Sequence, residues 1–223
     1  MSLALCHGER RWQHEGAGGA QASAALIPAI MGLLEDAQLS LKDLDAIAFG
    51  RGPGAFTGLR TACAVAQGLA LGAALPVLPI DTLLLLAQAV RLHSPRALCV
   101  LDARMGQVYV AAYEHGPDGW RCLQAPALSQ PEALVLPTEW QGQGFVLASN
   151  AQALYSNAFS QCLAQGGVAI EAWPQALAML DLAALAYIRG EALSPGEALP
   201  LYVRDKVALT SAERLAANVS RSA

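Results

Sequence analysis

Charge of either sign is scarce in this 223-residue chain, with 14% charged against 54% hydrophobic residues and a formal net charge of −4. A protein that held duplex or transfer RNA on its own surface would need a basic stripe to neutralise phosphates. The sequence has no such stripe, so a broad phosphate-binding face of its own is not expected. Long apolar runs are missing as well. The longest, Ala62 to Val90, is interrupted by Gln67, Pro76, Pro79 and Asp81 before about 20 clean residues accumulate, and it reads as helix, strand and helix rather than a membrane span. No basic segment leads into an apolar core and cleavage site at the N-terminus, which argues against a secretory signal and for a cytoplasmic protein.

Residues that carry chemistry are equally sparse. Cys6, Cys63, Cys99, Cys122 and Cys162 are odd in number, widely spaced and without a C-x-x-C pair, so they suggest neither a disulfide framework nor a zinc site and are expected as buried thiols. His7 and His14 lie on a predicted hairpin, and His93 and His115 stand alone. None belongs to an H-x-x-x-H or H-E-x-x-H helix, and surface or turn positions are expected. Ser149 and Ser211 lack a G-x-S-x-G elbow. Asp102 and Arg104 follow a strand, where such a pair lines an interdomain cleft or forms a structural ion pair, the second being favoured. Arg204, Asp205 and Lys206 read as solvated surface. No catalytic residue, metal or cofactor is predicted.

Glycine, by contrast, is concentrated in one place. Gly50 to Arg60 reads GRGPGAFTGLR, between an apolar strand at 45–49 and a predicted helix from Thr57 or Gly58 to Gly72. A strand, glycine loop and helix in that order place backbone amides where an anion can be held. The spacing nevertheless fails both familiar phosphate loops: Ala55 and Thr57 stand where G-x-G-x-x-G needs glycine, and no lysine is near. The remaining reading is a tight turn, with Gly52, Pro53, Gly54, Phe56, Thr57, Gly58 and Arg60 letting strand and helix pack closely.

The rest of the chain reads as an α/β protein. A hairpin at 3–6 and 11–14 precedes a helix from Ser23 to about Asp36 with two apolar stripes, Leu26/Ile30/Leu33/Ala37 and Ile27/Met31/Leu34. The helix after the glycine loop interleaves Ala62, Ala66 and other small residues with Leu59, Cys63, Leu69 and Leu71. Both helices are suited to close helix–helix contact, internal or with a second protein. A strand at 76–80, a helix to about Leu92 and a strand at 97–101 give a parallel β-α-β rhythm. A second unit then repeats the plan, with a hairpin at 107–114 and 120–124 around Gly116-Pro-Asp-Gly119, strands at 144–148 and 168–172, and helices at 150–165 and up to Gly190. Domains at 1–102 and 103–223 are expected, with the tail from Leu199 returning to the first.

GRGPGAFTGLR and its Ala/Gly-rich helix resemble the signature of the TsaB (YeaZ) family. Leu101-Asp-Ala-Arg-Met-Gly-Gln-Val-Tyr109 and Pro200-Leu-Tyr-Val-Arg204 are similar to two further stretches of that family. The resemblance implies two ribonuclease-H-like domains of the actin and sugar-kinase superfamily. It implies a non-catalytic subunit required for threonylcarbamoyladenosine modification of tRNA, a relative of the TsaD-type transferase that it binds and supports. The partner interface it implies lies on the two small-residue helices, with Leu26, Ile30, Leu33, Ala62, Ala66 and Leu69 as the candidate residues, and the same helices can form a homodimer. A TsaE-type ATPase is the implied third component, and tRNA is reached through the complex. Family members begin with a strand carrying Asp-Thr-Ser/Thr, whereas this chain starts at the equivalent of the second strand. The competing expectation is a nucleotide-dependent phosphotransferase or ATPase using the interdomain cleft.

Overall fold

The computed structural model describes residues 1–19 and 22–204. Its first element is a hairpin: β1 (Ser2–His7) and β2 (Arg10–Glu15) pair antiparallel from Ser2↔Glu15 to His7↔Arg10, with Gly8 at φ +59° in the turn. The helix α1 (Ala22–Ala37) packs on both strands. Next come β3 (Ile47–Gly52), α2 (Phe56–Ala73) and β4 (Val77–Asp81), with β3 and β4 parallel and α2 lying on β3. The helix α3 (Thr82–Ala89) then leads into the second half.

That half is one five-stranded sheet. Its strands are β5 (Arg96–Arg104), β6 (Gln107–Gly116), β7 (Gly119–Ser129), β8 (Phe145–Ser149) and β9 (Gly167–Glu171), in the order β7-β6-β5-β8-β9. The central β5 is antiparallel to β6 and parallel to β8. Both faces of β5 are covered, which is why Ala97 to Leu101 is an unbroken apolar run. Ala97, Cys99 and Leu101 pack with Leu83 and Leu86 of α3, while Leu98 and Val100 pack with Trp140, Phe145 and Phe159. Phe159 belongs to α4 (Gln152–Leu163), between β8 and β9, and α5 (Ala176–Ile188) follows β9 and packs on β1, β3, β4 and α3. Among the described residues no helix is long and apolar enough to cross a membrane.

Several local expectations are corrected. Ser23 is not a cap: it lies inside α1, its Oγ 3.4 Å from Thr61 Oγ1 on α2. β7 continues to Ser129 because β6 offers it ladder positions as far as Val108↔Ser129. Pro126, which cannot donate to a ladder, falls in a bulge of this edge strand between Gln124 and Ala127. The thiols divide: Cys63, Cys99 and Cys162 are buried, but Cys6 and Cys122 are exposed, one near the hairpin tip and the other on the edge strand. Gly190, at φ +72°, follows Arg189 as the left-handed residue that ends α5, its amide donating to Tyr187 O.

Candidate functional site

The glycine loop is built around the chain's own tail. At Gly52 φ is +125°, and a Cβ placed there would lie 2.5 Å from the Leu201 carbonyl oxygen and 3.1 Å from Leu59 Cδ1. Only glycine fits a backbone approached this closely. The Leu201 amide donates to Arg51 O at 2.7 Å, and the Gly52 amide donates to Thr82 Oγ1 at 3.1 Å. Arg51 in turn meets Asp81 Oδ1 at 2.5 Å, tying the end of β3 to the end of β4. Beyond the buried Pro53, Phe56 and Tyr202 rings pack at 5.3 Å, and the Arg60 guanidinium lies 3.9 Å over the Phe56 ring while its Nε donates to Tyr202 Oη at 3.1 Å. Gln67 Nε2 donates to Pro195 O and Ala198 O at 2.9 and 3.0 Å. The end of β3 and the first turns of α2 therefore both hold the tail. Thr57 and Gly58 at the start of α2 are exposed and Gly54 is half-buried.

α1 and α2 each present an outward apolar or small-residue face. On α2, Leu59, Cys63, Ala66 and Ala70 are buried at helical spacing against the core, leaving Ala64, Gly68, Leu71 and Gly72 exposed, with Leu71 at 76%. On α1, Leu33, Leu34 and Ala37 are buried, while Ile27 and Met31 stand 50% and 49% exposed. Of the six candidate interface residues, Leu33 and Ala66 thus lie in the chain's own core, and Leu26, Ile30, Ala62 and Leu69 are half-buried. The exposed apolar residues of the two helices are instead Ile27 and Met31, which belong to the second stripe on α1, and Leu71 on α2. Gly68 and Gly72 carry a sharper signal, because a Cβ at either would meet nothing within 4 Å. A glycine inside a helix costs roughly 0.5–1 kcal/mol relative to alanine, and no packing among the described residues accounts for it here.

A polar cluster marks the turn between β5 and β6. Asp102 accepts from the Arg104 amide at 2.9 Å and pairs with Arg104 Nε at 3.4 Å, so the two form an ion pair within the turn. The Asp102 amide donates to Asn150 Oδ1 at 3.0 Å, and Tyr155 Oη lies 3.5 Å from the Asp102 carboxylate. Burial, and then that carboxylate, push the Tyr155 hydroxyl above its ordinary pKa. Arg204, expected in solvent, is instead partly buried: its guanidinium donates to Gln107 Oε1 at 2.8 Å and to Arg104 O at 3.3 Å. The tail brings it there, which no local pattern reveals; Asp205 and Lys206 lie outside the described residues. Asp102 and the terminal nitrogens of Arg204 are engaged by turn backbone and neighbouring side chains. Among the described residues, no three His, Cys, Asp or Glu side chains converge as a metal site.

Comparison with known proteins agrees with this architecture. The family model for TsaD, tRNA N6-adenosine threonylcarbamoyltransferase, matches residues 17–212. The tRNA threonylcarbamoyladenosine biosynthesis protein TsaB of Haemophilus influenzae is 35% identical over 192 residues, covering 82% of this chain and 79% of that protein. The protein of the same description from Escherichia coli K12 is 34% identical over 189 residues, covering 82% and 80%. The solved structure of YeaZ from Pseudomonas aeruginosa superposes with a TM-score of 0.80 at 34% identity, covering 90% of this chain and 93% of that one. A second Pseudomonas aeruginosa structure, described as similar to the peptidase YeaZ, gives a TM-score of 0.82 at 34% identity over 91% and 94%. With a relative of this identity matched along four fifths of both chains, a glycine loop set against its own tail, and the same fold in solved neighbours, the chain belongs to the TsaB (YeaZ) family.

Proposed function

We propose that this chain is a non-catalytic subunit in threonylcarbamoyladenosine modification of tRNA, and that it docks a TsaD-type transferase through the outward faces of α1 and α2. The observation that carries the docking face is the open glycine pair on α2. Among the described residues nothing packs where a Cβ of Gly68 or Gly72 would stand, and both sit beside the exposed Leu71, with Ile27 and Met31 on the neighbouring helix. A helix of the partner can approach the α2 backbone closely only where such residues stand, and apolar side chains around them supply the buried area. The relatives' names support the pathway, and the absence of a basic stripe supports tRNA being held elsewhere in the complex. A TsaE-type ATPase joins where the two subunits meet. Without the transferase, the same face pairs two copies. The setting is cytoplasmic.

In the fold that goes with this reading, residues 1–102 and 103–223 are two ribonuclease-H-like units of the actin and sugar-kinase superfamily. The glycine loop holds α2 at the angle the docking face needs.

The test is calorimetric titration with a TsaD-type transferase subunit, using the parent chain, Ile27→Asp and Gly68→Leu. Gly68→Leu adds a side chain where the partner backbone would approach. Because a Cβ there meets open space, the same change is expected to raise the Tm by roughly 1–4 °C, from the 0.5–1 kcal/mol helix preference. Binding weakened at least about tenfold, or about 1.4 kcal/mol, with the Tm unchanged or raised is the expected result. Parent-like affinity in both variants would place the interface elsewhere.

A further inference from the structure

Residues 193–204 run as a strap from the outer edge of β4 to the turn between β5 and β6, and they are held at every stage. Leu193 pairs with Val77 of β4, amide and carbonyl both bonded at 2.9 Å. Ala198 is fully buried against α2, and its carbonyl accepts from Cys63 Sγ at 3.4 Å as well as from Gln67. Leu201 and Tyr202 then engage the glycine loop and the first turns of α2. Val203 packs against the core that α3 forms with β5 and β6. At Arg204 the strap reaches the β5–β6 turn, where the guanidinium donates to Arg104 O and Gln107 Oε1 and lies 3.2 Å from Met105 Sδ.

The turn at the far end of the strap is a costly piece of backbone. Arg104, Met105 and Gly106 are consecutive left-handed residues, at φ +63°, +56° and +71°. Glycine enters that region freely, but the Cβ of Arg104 and of Met105 crowds the following carbonyl there. Such a conformation persists where its surroundings over-determine it. Two contacts do so here: Asp102 accepts from the Arg104 amide, and Arg204 donates to the Arg104 carbonyl. The side chains of Arg104 and Met105 meanwhile stand exposed, so the turn is reachable from outside while its backbone is clamped from within.

We infer that the strap makes α2 and the β5–β6 turn one cooperative unit, so that the turn regulates how tightly the face on α1 and α2 holds its partner. The unit has two states. In the engaged state, the one described, Arg204 clamps the turn, and Tyr202 and Ala198 hold α2 through Arg60 and Gln67. In the released state Arg204 withdraws, Arg104 and Met105 relax to ordinary backbone, and α2 loses those holds. A partner on the outward face of α2 binds the engaged state better, because a released helix must first be ordered. By linkage, whatever keeps the turn engaged strengthens docking by the same factor, and a ligand that draws out the exposed Arg104 and Met105 weakens it. This inference rests on the docking face proposed above and adds a control point outside it.

Amide hydrogen exchange on the full 223-residue chain tests the unit by perturbing each end of the strap in turn. Arg204→Lys keeps the charge and a long stem but loses the fork that reaches Arg104 O and Gln107 together. Gly52→Ala disturbs the other end, with Arg60→Ala, which removes the bond to Tyr202, in its place if that chain does not fold. Each variant should speed exchange about tenfold at both ends, at the Arg104 amide and at the Leu59 and Leu201 amides, with β8 unchanged. Faster exchange confined to the altered end would show two separate anchors and overturn the inference. Titration with a TsaD-type transferase subunit then reads the regulation. Arg204→Lys, which lies on neither docking helix, should weaken binding at least about fivefold, and the partner should slow exchange at the Arg104 amide of the parent. If Arg204→Lys binds like the parent while Ile27→Asp does not, the regulation is refuted and the docking face stands. If Ile27→Asp also binds like the parent, the docking face falls and the inference with it.

Discussion

Replacing Gly52 by alanine tests the link between the glycine loop and the tail. The new Cβ would stand 2.5 Å from the Leu201 carbonyl oxygen, where no side-chain rotation can relieve the clash, because the atom it meets is backbone. The tail would have to move, and the hydrogen bond from the Leu201 amide to Arg51 O would go with it. Losing that bond costs about 0.5–1.5 kcal/mol. Holding an L-residue at φ +125° costs a further 1–3 kcal/mol or so. Together these give about 2–4 kcal/mol, which for a chain of this size lowers the Tm by roughly 4–16 °C. Gly54→Ala is the matched control, since its Cβ would meet Leu59 Cδ2 at 3.5 Å, an ordinary contact. Scanning calorimetry would read the two Tm values. Limited proteolysis with chymotrypsin would read release of the Tyr202 segment, expected to be faster in Gly52→Ala alone. A Gly52→Ala chain that melts within about 1 °C of the parent and is cut no faster would refute the tail-anchoring role of the loop.

The exposed thiols Cys6 and Cys122 should react with a disulfide reagent in the native chain, whereas Cys63, Cys99 and Cys162 should react only on unfolding. Burial raises the Cys63 and Cys99 pKa values and pushes Cys162 up to about 11, which removes thiolate as well as access; native labelling of three or more thiols would contradict this. Glu197 accepts from the hydroxyl and amide of Ser194, and these bonds hold its carboxyl below its ordinary pKa. A depressed folded pKa contributes stability that is present above the unfolded value and lost as pH falls through the folded one. The Tm advantage of the parent over Glu197→Ala should therefore shrink as pH drops below about 4, and a constant difference would show that the bond is not made. Millimolar ATP with magnesium should leave the Tm within about 1 °C; a larger concentration-dependent rise would favour the nucleotide-cleft reading.

What could be read from the sequence followed the strength of local patterning. β5 was legible because burial on both faces leaves an unbroken apolar run, and the β6–β7 turn because Gly116-Pro-Asp-Gly119 has few alternatives. The helix after the glycine loop was legible to within a residue or two. Its inward and outward faces were not, since both α1 and α2 are apolar or small nearly all round and periodicity cannot choose between Ile30 and Ile27, or between Ala66 and Ala64. The loop's need for glycine was visible, but the group that imposes it, Leu201 O, arrives from the far end of the chain. Arg204 was misjudged for the same reason, and the exposed cysteines because a cysteine carries no local sign of which face of an edge strand it occupies.

The most direct measurement is threonylcarbamoyladenosine formation on tRNA by a TsaD-type transferase and its TsaE-type ATPase, supplied with an activated threonylcarbamoyl donor and ATP, with and without this chain. Product is expected only when the chain is added, with none from the chain alone, and Gly68→Leu is expected to fail to support the reaction while melting no lower than the parent. Full product in the absence of the chain, or full support by Gly68→Leu, would contradict a supporting subunit that works through the open face of α1 and α2.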